Sequence, residues 1–347
     1  MINSSDKCHA SEFVDNLLNK GGTIRCDETN EEFNRFEILP EYFDEEKFKC
    51  GQNFFYKHLY AMFFAKILGL TTILSVPDLA QILKFTKMSS EPLSAYKRYL
   101  STVFHMVAWY DHDFQPNSKV WKSIEKVRFK HNSASKRCCS AGFSSISQKN
   151  MALTQFGFMG FVISETETVG IYNASKQELE GFIHIWRIVG YLMGMEDRFN
   201  ICRDSLEETK GICHELIRRV FREEVRRQHQ DYLSLTSALI NGMWCMMPVM
   251  NHHVFLYFIN EIVCKDRYLP ENGNNNEINN DFKPYVLNAF QKFYLFCLTT
   301  FFSLMRFTLF RIIHVYNMYV VFWLMHNFPF LAYYKYGKKN SHVEIFD

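Results

Sequence analysis

Apolar residues recur at three- and four-residue spacing through most of this chain, and nothing alternates with a period of two over a useful length. The first spacing gathers side chains on one face of a helix, the second on one face of a strand. The pattern therefore predicts an all-α fold. Phe54, Phe55, His58, Leu59, Met62, Phe63, Ile67 and Leu70 outline a buried helix, and the interrupting Lys57 and Lys66 argue against a membrane span. Pro77 suits the first turn of a second helix, with Ser75 as its expected cap. Further helices are predicted over 92–110, 119–137, 145–162, 175–195, 204–229 and 231–265. The stretch Thr166–Tyr172 is too short to found a sheet.

Residues 1–45 are polar and read as an N-terminal arm leading into a helical domain over 46–269. The run PENGNNNEINND at 270–281 is an Asn-rich loop and the sharpest boundary in the chain. Beyond it, 282–347 form an aromatic, hydrophobic C-terminal region. Phe293–Met305 carries no charge, and Ile312–Tyr334 carries none over 23 residues, long enough to cross a bilayer. His314, Asn317, His326, Asn327 and Pro329 are costly at a bilayer centre, however. Lys335, Lys338 and Lys339 beside Tyr333, Tyr334 and Tyr336 have the make-up of an interfacial anchor. The expectation is membrane association, surface-lying rather than spanning, with a pair of domain-closing core helices as the alternative.

Composition sharpens this only in part. The 347 residues carry 39 basic and 37 acidic side chains, a net +2 that gives no drive toward nucleic acid. The 34 Phe imply a thick aromatic core, a large apolar pocket or a membrane-facing surface. No Cys-x-x-Cys occurs among the ten cysteines, which removes zinc ribbons, thioredoxin-type sites and covalent haem attachment. The polar opening residues lack a signal-peptide pattern, so a reducing compartment is expected.

Candidate chemistry concentrates on the stretch EGFIHIWRIVGYLMGM, residues 180–195, which is apolar nearly all round and so predicts a buried helix. His184 and Arg187 lie one turn apart on it. A buried arginine requires an anionic partner. Burial and a neighbouring cation both favour neutral imidazole, the form that binds metals. By spacing alone His184 reads first as a hydrogen-bonded core residue and only weakly as a ligand, with Glu180 in reach of it or of Arg187. Gly190 and Gly194 admit a close neighbour or a flat ligand. No Glu-x-x-His occurs, against a di-iron bundle, and no His-Glu-x-x-His, against a zinc hydrolase. The adjacent His252 and His253 point about 100° apart on a helix and do not readily share a metal.

Three ordered motifs extend this: Lys126-Val-Arg-Phe-Lys-His131, ISQKNMALTQFGFMGF at 146–161, and FIHIWRIVGYLMGMEDRFN at 182–200. Together, over roughly residues 40–265, the chain resembles the family of the ER-bound oxygenase mpaB and the bacterial rubber oxygenases, or latex-clearing proteins. The resemblance implies a helical domain around non-covalent haem b and oxidative C=C cleavage of a hydrophobic, isoprenoid-like substrate with dioxygen. It implies His184 as the proximal iron ligand, Arg187 or Arg128 as propionate partners, and Thr154 or His131 as hydrogen-bonding groups toward bound oxygen. It also implies an endoplasmic reticulum or other intracellular membrane, on its cytoplasmic face, with a cytoplasmic protein as the alternative. The chain departs from rubber oxygenases at Leu153, where they carry lysine, and at Asn150, where they carry arginine. Those losses favour the rival expectation: a non-catalytic haem- or lipid-binding, membrane-associated protein that keeps the fold.

Overall fold

The computed structural model describes residues 4–28, 39–111, 114–115, 118–268 and 285–343. Among these there is no strand, only an isolated bridge between Arg25 and Ser147, so the fold is all-α as the periodicity predicts. The Asn-rich 270–281 run lies outside the described residues.

The first helix, α1 (Ser4–Asn16), continues through a wider-wound turn over Leu17–Gly21. The expected arm is thus part of the folded body: Ala10, Val14 and Leu17 are buried, and α1 packs on a later helix, α9 (Leu206–Leu216). The long apolar run divides at His58 into α2 (Glu45–Lys57) and α3 (Leu59–Ile73). Every residue of α3 except Tyr60 is buried, as befits a helix without a polar face. Then comes α4 (Pro77–Thr86), with Pro77 in its first turn. Its cap position is Val76 rather than Ser75, whose hydroxyl donates to the Thr72 carbonyl at 2.7 Å and so finishes α3.

Four helices frame the centre: α5 (Pro92–Asp111), α6 (Lys119–Ser140), α7 (Gln148–Ser164) and α8 (Lys176–Leu192). Both α7 and α8 start with reciprocal caps, Ser147 with Asn150 and Ser175 with Glu178. Two glycine pairs set their crossings. A Cβ on Gly69 of α3 would lie 2.1 Å from the Gly157 carbonyl oxygen of α7, and one on Gly51 of α2 would lie 2.4 Å from that of Gly181 on α8. Past α9, the predicted 204–229 helix passes through a π turn at Ile217–Phe221 into α10 (Arg222–Arg227). The predicted 231–265 helix is two, α11 (Gln230–Met243) and α12 (His252–Val263), split at the segment holding Pro248.

The C-terminal region forms α13 (Ala289–Leu304), α14 (Thr308–Asn327), α15 (Phe330–Tyr336) and α16 (Lys338–Ser341). Tyr96 of α5 donates to the Ser341 carbonyl at 3.1 Å and Lys335 to that of Asn241 at 2.7 Å, which pins the end of the chain to the body. The two long helices are different in kind from the core. Phe302 alone is buried on α13, and Arg311, Met318 and Met325 on α14. Phe290, Phe293, Phe296, Leu309, Ile313 and Trp323 are exposed. By length and composition α14 could cross a membrane, and 22% of its most apolar window is buried.

Candidate functional site

On α8, Phe182, Ile185, Trp186 and Val189 are buried in the core, and Gly181 admits α2 at backbone distance. His184 and Arg187 face the Tyr42–Asp44 segment, just ahead of α2. His184 is 7% exposed. Its Nε2 accepts a hydrogen bond from the Asp44 backbone N–H at 2.9 Å, so its proton sits on Nδ1. Its ring lies 6.0 Å from that of Phe43. Burial, aided by Lys47 and Arg187 and opposed by Asp44, lowers its pKa to about 4, so the imidazole is neutral at pH 7. Asp44 serves twice, since its carboxylate also caps α2 by accepting from the Lys47 N–H at 3.0 Å.

Arg187 has its anionic partners, and they come from the loop after its own helix. Its Nε and Nη2 reach the two Asp197 oxygens at 3.1 and 3.2 Å, and its Nη1 pairs with Asp204. The guanidinium stacks over Tyr42 at 3.9 Å. Burial alone would lower its pKa, but the hydrogen bonds and charge of these carboxylates raise it. Glu180 pairs with neither His184 nor Arg187; Lys176 is its partner at 3.7 Å.

The other expected site residues lie apart from this face. Arg128 of α6 donates to the Leu192 carbonyl at 3.4 Å, and its guanidinium approaches Gly194 to 3.3 Å of where a Cβ would stand. That contact is eight residues beyond His184, about 12 Å along a helix axis. Gly194, at φ +89°, is therefore a turn on which an arginine packs. Thr154 returns its hydroxyl to the Asn150 carbonyl at 2.7 Å within α7. His131 is half-buried, and burial with nearby Arg98 and Lys130 lowers its pKa to about 4. Among the described residues neither exchanges a hydrogen bond with His184.

Sequence reasoning missed the polar clamp between α7 and α8. The Gln155 amide donates to the Trp186 carbonyl at 2.8 Å and to Asn200 at 3.0 Å, while Asn200 donates to the Arg187 carbonyl at 3.0 Å. Gln148 donates to the Gly194 carbonyl at 3.0 Å. Both glutamines belong to the 146–161 motif, so its polar positions 148 and 155 serve to hold the end of α8. Gly190 makes room for this clamp: a Cβ there would stand 2.8 Å from the amides of Asn200 and Gln155.

Lys66 of α3 is the second missed feature. It is 2% exposed, and its Nζ sits 5.0 to 5.6 Å from the ring centres of Phe55, Tyr110, Phe182 and Trp186. No hydrogen-bond partner reaches it among the described residues. Burial lowers its pKa to about 7. The cage is rigid: Phe55 and Tyr110 stack at 3.7 Å, and the Trp186 indole donates to the Tyr110 hydroxyl at 2.7 Å. A lysine amid an otherwise apolar helix was the available signal.

No group of three or more His, Cys, Asp or Glu side chains is placed to hold a metal among the described residues. Comparison with known proteins gives one informative result. No family model and no curated protein matches the sequence. Among solved structures, the fold is similar to that of a latex clearing protein in its closed state, with a TM-score of 0.52 over 87% of this chain and 82% of that one, at 12% identity. At that identity the likeness establishes the shared all-α fold.

Proposed function

We propose that this chain is an oxidoreductase: a haem-dependent oxygenase that uses dioxygen to cleave C=C bonds in a hydrophobic, isoprenoid-like substrate. The carrying observation is a buried, neutral His184 on a helix of the latex-clearing fold. As an axial donor its chemistry suits haem iron. The space around it does not fit a porphyrin as it stands, because the Asp44 amide takes the Nε2 lone pair and Phe43 lies against the ring. Nor is Arg187 available to a propionate, since Asp197 and Asp204 already hold it. The reading therefore requires the Tyr42–Asp44 segment to part from α8. When bound, haem would supply the redox chemistry; the chain supplies a neutral imidazole with its proton fixed on Nδ1 and a surrounding apolar core. The exposed aromatic faces of α13 and α14 suit a membrane surface, into which such a substrate partitions, and the resemblance to the ER-bound branch makes the cytoplasmic face of an intracellular membrane our reading of where.

The Asp44–His184 hydrogen bond favours a second reading, in which the fold is kept for lipid binding without haem chemistry. One experiment separates the two: absorption spectra of the purified protein, before and after dithionite, beside His184→Ala. A Soret band lost or strongly shifted in the variant supports the oxygenase. No band in either protein, even after haem reconstitution, sinks it and leaves the lipid-binding reading.

A further inference from the structure

A cavity of about 590 Å³ lies between α2, α5, α6 and α14, and it shares no residue with the His184 group. That volume falls within the roughly 300–1,000 Å³ of small-molecule sites. Tyr56, Phe104, Val107, Ala108, Tyr319 and Phe322 give it apolar and aromatic walls. Its charged edge comes from one helix face: Lys119, Lys122 and Lys126 follow at intervals of three and four on the first turns of α6. Among the described residues Asp111 is the one acidic residue lining it. Three cations against one carboxylate, at the positive end of a 22-residue helix, make a local field that favours an anion. Lys119 and Lys122 join no ion pair among the described residues.

The interior is polar at chosen points. His105 Nδ1 and Ser123 Oγ lie 2.7 Å apart, and the Trp109 indole donates to the same hydroxyl at 2.9 Å. The Tyr56 hydroxyl is sealed from solvent without a hydrogen-bond partner among the described residues, while its ring stacks on Tyr319 at 6.2 Å. The wall formed by α14 continues outward as an exposed apolar surface through Ile312, Ile313, Tyr316 and Val320. A chain leaving the cavity thus has apolar surface to follow, while a charged end stays at the lysines.

We propose that this cavity binds a single-chain amphiphile with an anionic phosphate or carboxylate head, the head at Lys119 and Lys122 and the tail between α5 and α14. The site goes beyond the oxygenase reading and does not rest on it. Its occupant comes either free or as a membrane lipid, and the test separates these sources.

The probe is dodecyl phosphate below its micelle concentration, titrated calorimetrically into the full chain in an uncharged detergent. Dodecanol and inorganic phosphate are titrated alongside. Saturable one-to-one binding is expected for dodecyl phosphate, with both controls at least about tenfold weaker. Reversing the charges in Lys119→Glu/Lys122→Glu weakens it by a further tenfold or more, since each charge-assisted contact is lost. Filling the cavity by Ala108→Trp abolishes binding; if that variant misfolds, Val107→Phe takes its place. Competition by lysophosphatidic acid added in the same detergent, and not by lysophosphatidylcholine, identifies a membrane lipid as the source; no competition identifies a free amphiphile. Dodecanol binding as tightly as dodecyl phosphate, or charge reversal without effect in a folded variant, overturns the proposal. The readout needs no haem, so a missing Soret band defeats the oxygenase and leaves this site standing.

Discussion

Lys66 offers the sharpest quantitative test. Burial takes its pKa from 10.5 to about 7, which corresponds to about 5 kcal/mol between the charged and neutral forms. The unfolded chain keeps the proton up to about pH 10.5, while the folded chain has shed half of it at pH 7. The burial penalty is therefore complete well below pH 7, about 4 kcal/mol at pH 7, about 2 kcal/mol at pH 9, and nearly gone above pH 10.5. Methionine is unbranched, fills a similar volume, and keeps favourable contacts with the Phe55, Tyr110, Phe182 and Trp186 rings through sulfur. The lysine's own attraction to those ring faces returns part of the penalty. Lys66→Met is expected to raise unfolding free energy by about 2–4 kcal/mol at pH 7. The gain should shrink by about 2 kcal/mol between pH 7 and pH 9. Urea denaturation of both proteins at the two pH values measures this, and the difference between them removes every other titrating group. Equal midpoints at pH 7, or a gain that does not change with pH, would refute the account of Lys66 as an unpaired buried amine. A stabilised variant that also lost activity would show that the amine is kept for function.

The α3–α7 crossing predicts that Gly69→Ala destabilises by about 3 kcal/mol or more, because its Cβ would sit 2.1 Å from a backbone oxygen that no rotamer can move; a thermal shift under about 3 °C would contradict this. Glu165 is 3% exposed, and although burial pushes its carboxyl up, hydrogen bonds from Lys265, Tyr268 and Thr168 outweigh that and hold it below 4.5. Its contribution is present above pH 4.5 and lost as pH falls through the lower folded value, so Glu165→Gln should cost about 3 kcal/mol at neutral pH and flatten the acid limb of the stability profile.

The fold was legible because helix formation here is written in local pattern. Reciprocal caps begin α7 and α8, Pro77 opens α4, and apolar spacing carries the rest. The breaks were less legible. His58 separates the amphipathic α2 from the almost wholly buried α3, and the apolar spacing runs on across it, although the chain turns there to let α2 lie on α8 and α3 on α7. The opening 45 residues read as an arm because their few apolar positions are sparse, yet Val14 and Leu17 at helical spacing suffice to dock α1 on α9.

The site was legible in type and not in partnership. Sequence alone placed His184 and Arg187 on one buried helix, and the neutral imidazole and the anion-paired guanidinium follow from that burial. Their partners could not be read, since Asp44 lies 140 residues upstream and offers a backbone amide, a donor that every residue but proline carries. Asp197 and Asp204 lie close in sequence to Arg187, but only the fold of the loop after α8, held by Gln148 and Gln155, aims them at it. The same arrangement ties the two readings to one structural element. Tyr42 stacks on Arg187 and the Asp44 amide caps His184, so whatever opens the 42–44 segment frees the His184 ring and uncovers the Arg187 guanidinium, which Asp197 and Asp204 still hold. Tyr42→Gly removes the stack and leaves the amide in place. If the segment is what excludes haem, this variant should take up added haem more readily than the wild type, with His184 still required for the Soret band. If haem uptake is unchanged, the segment is no barrier, and His184 is a core residue whose hydrogen bond positions the start of α2.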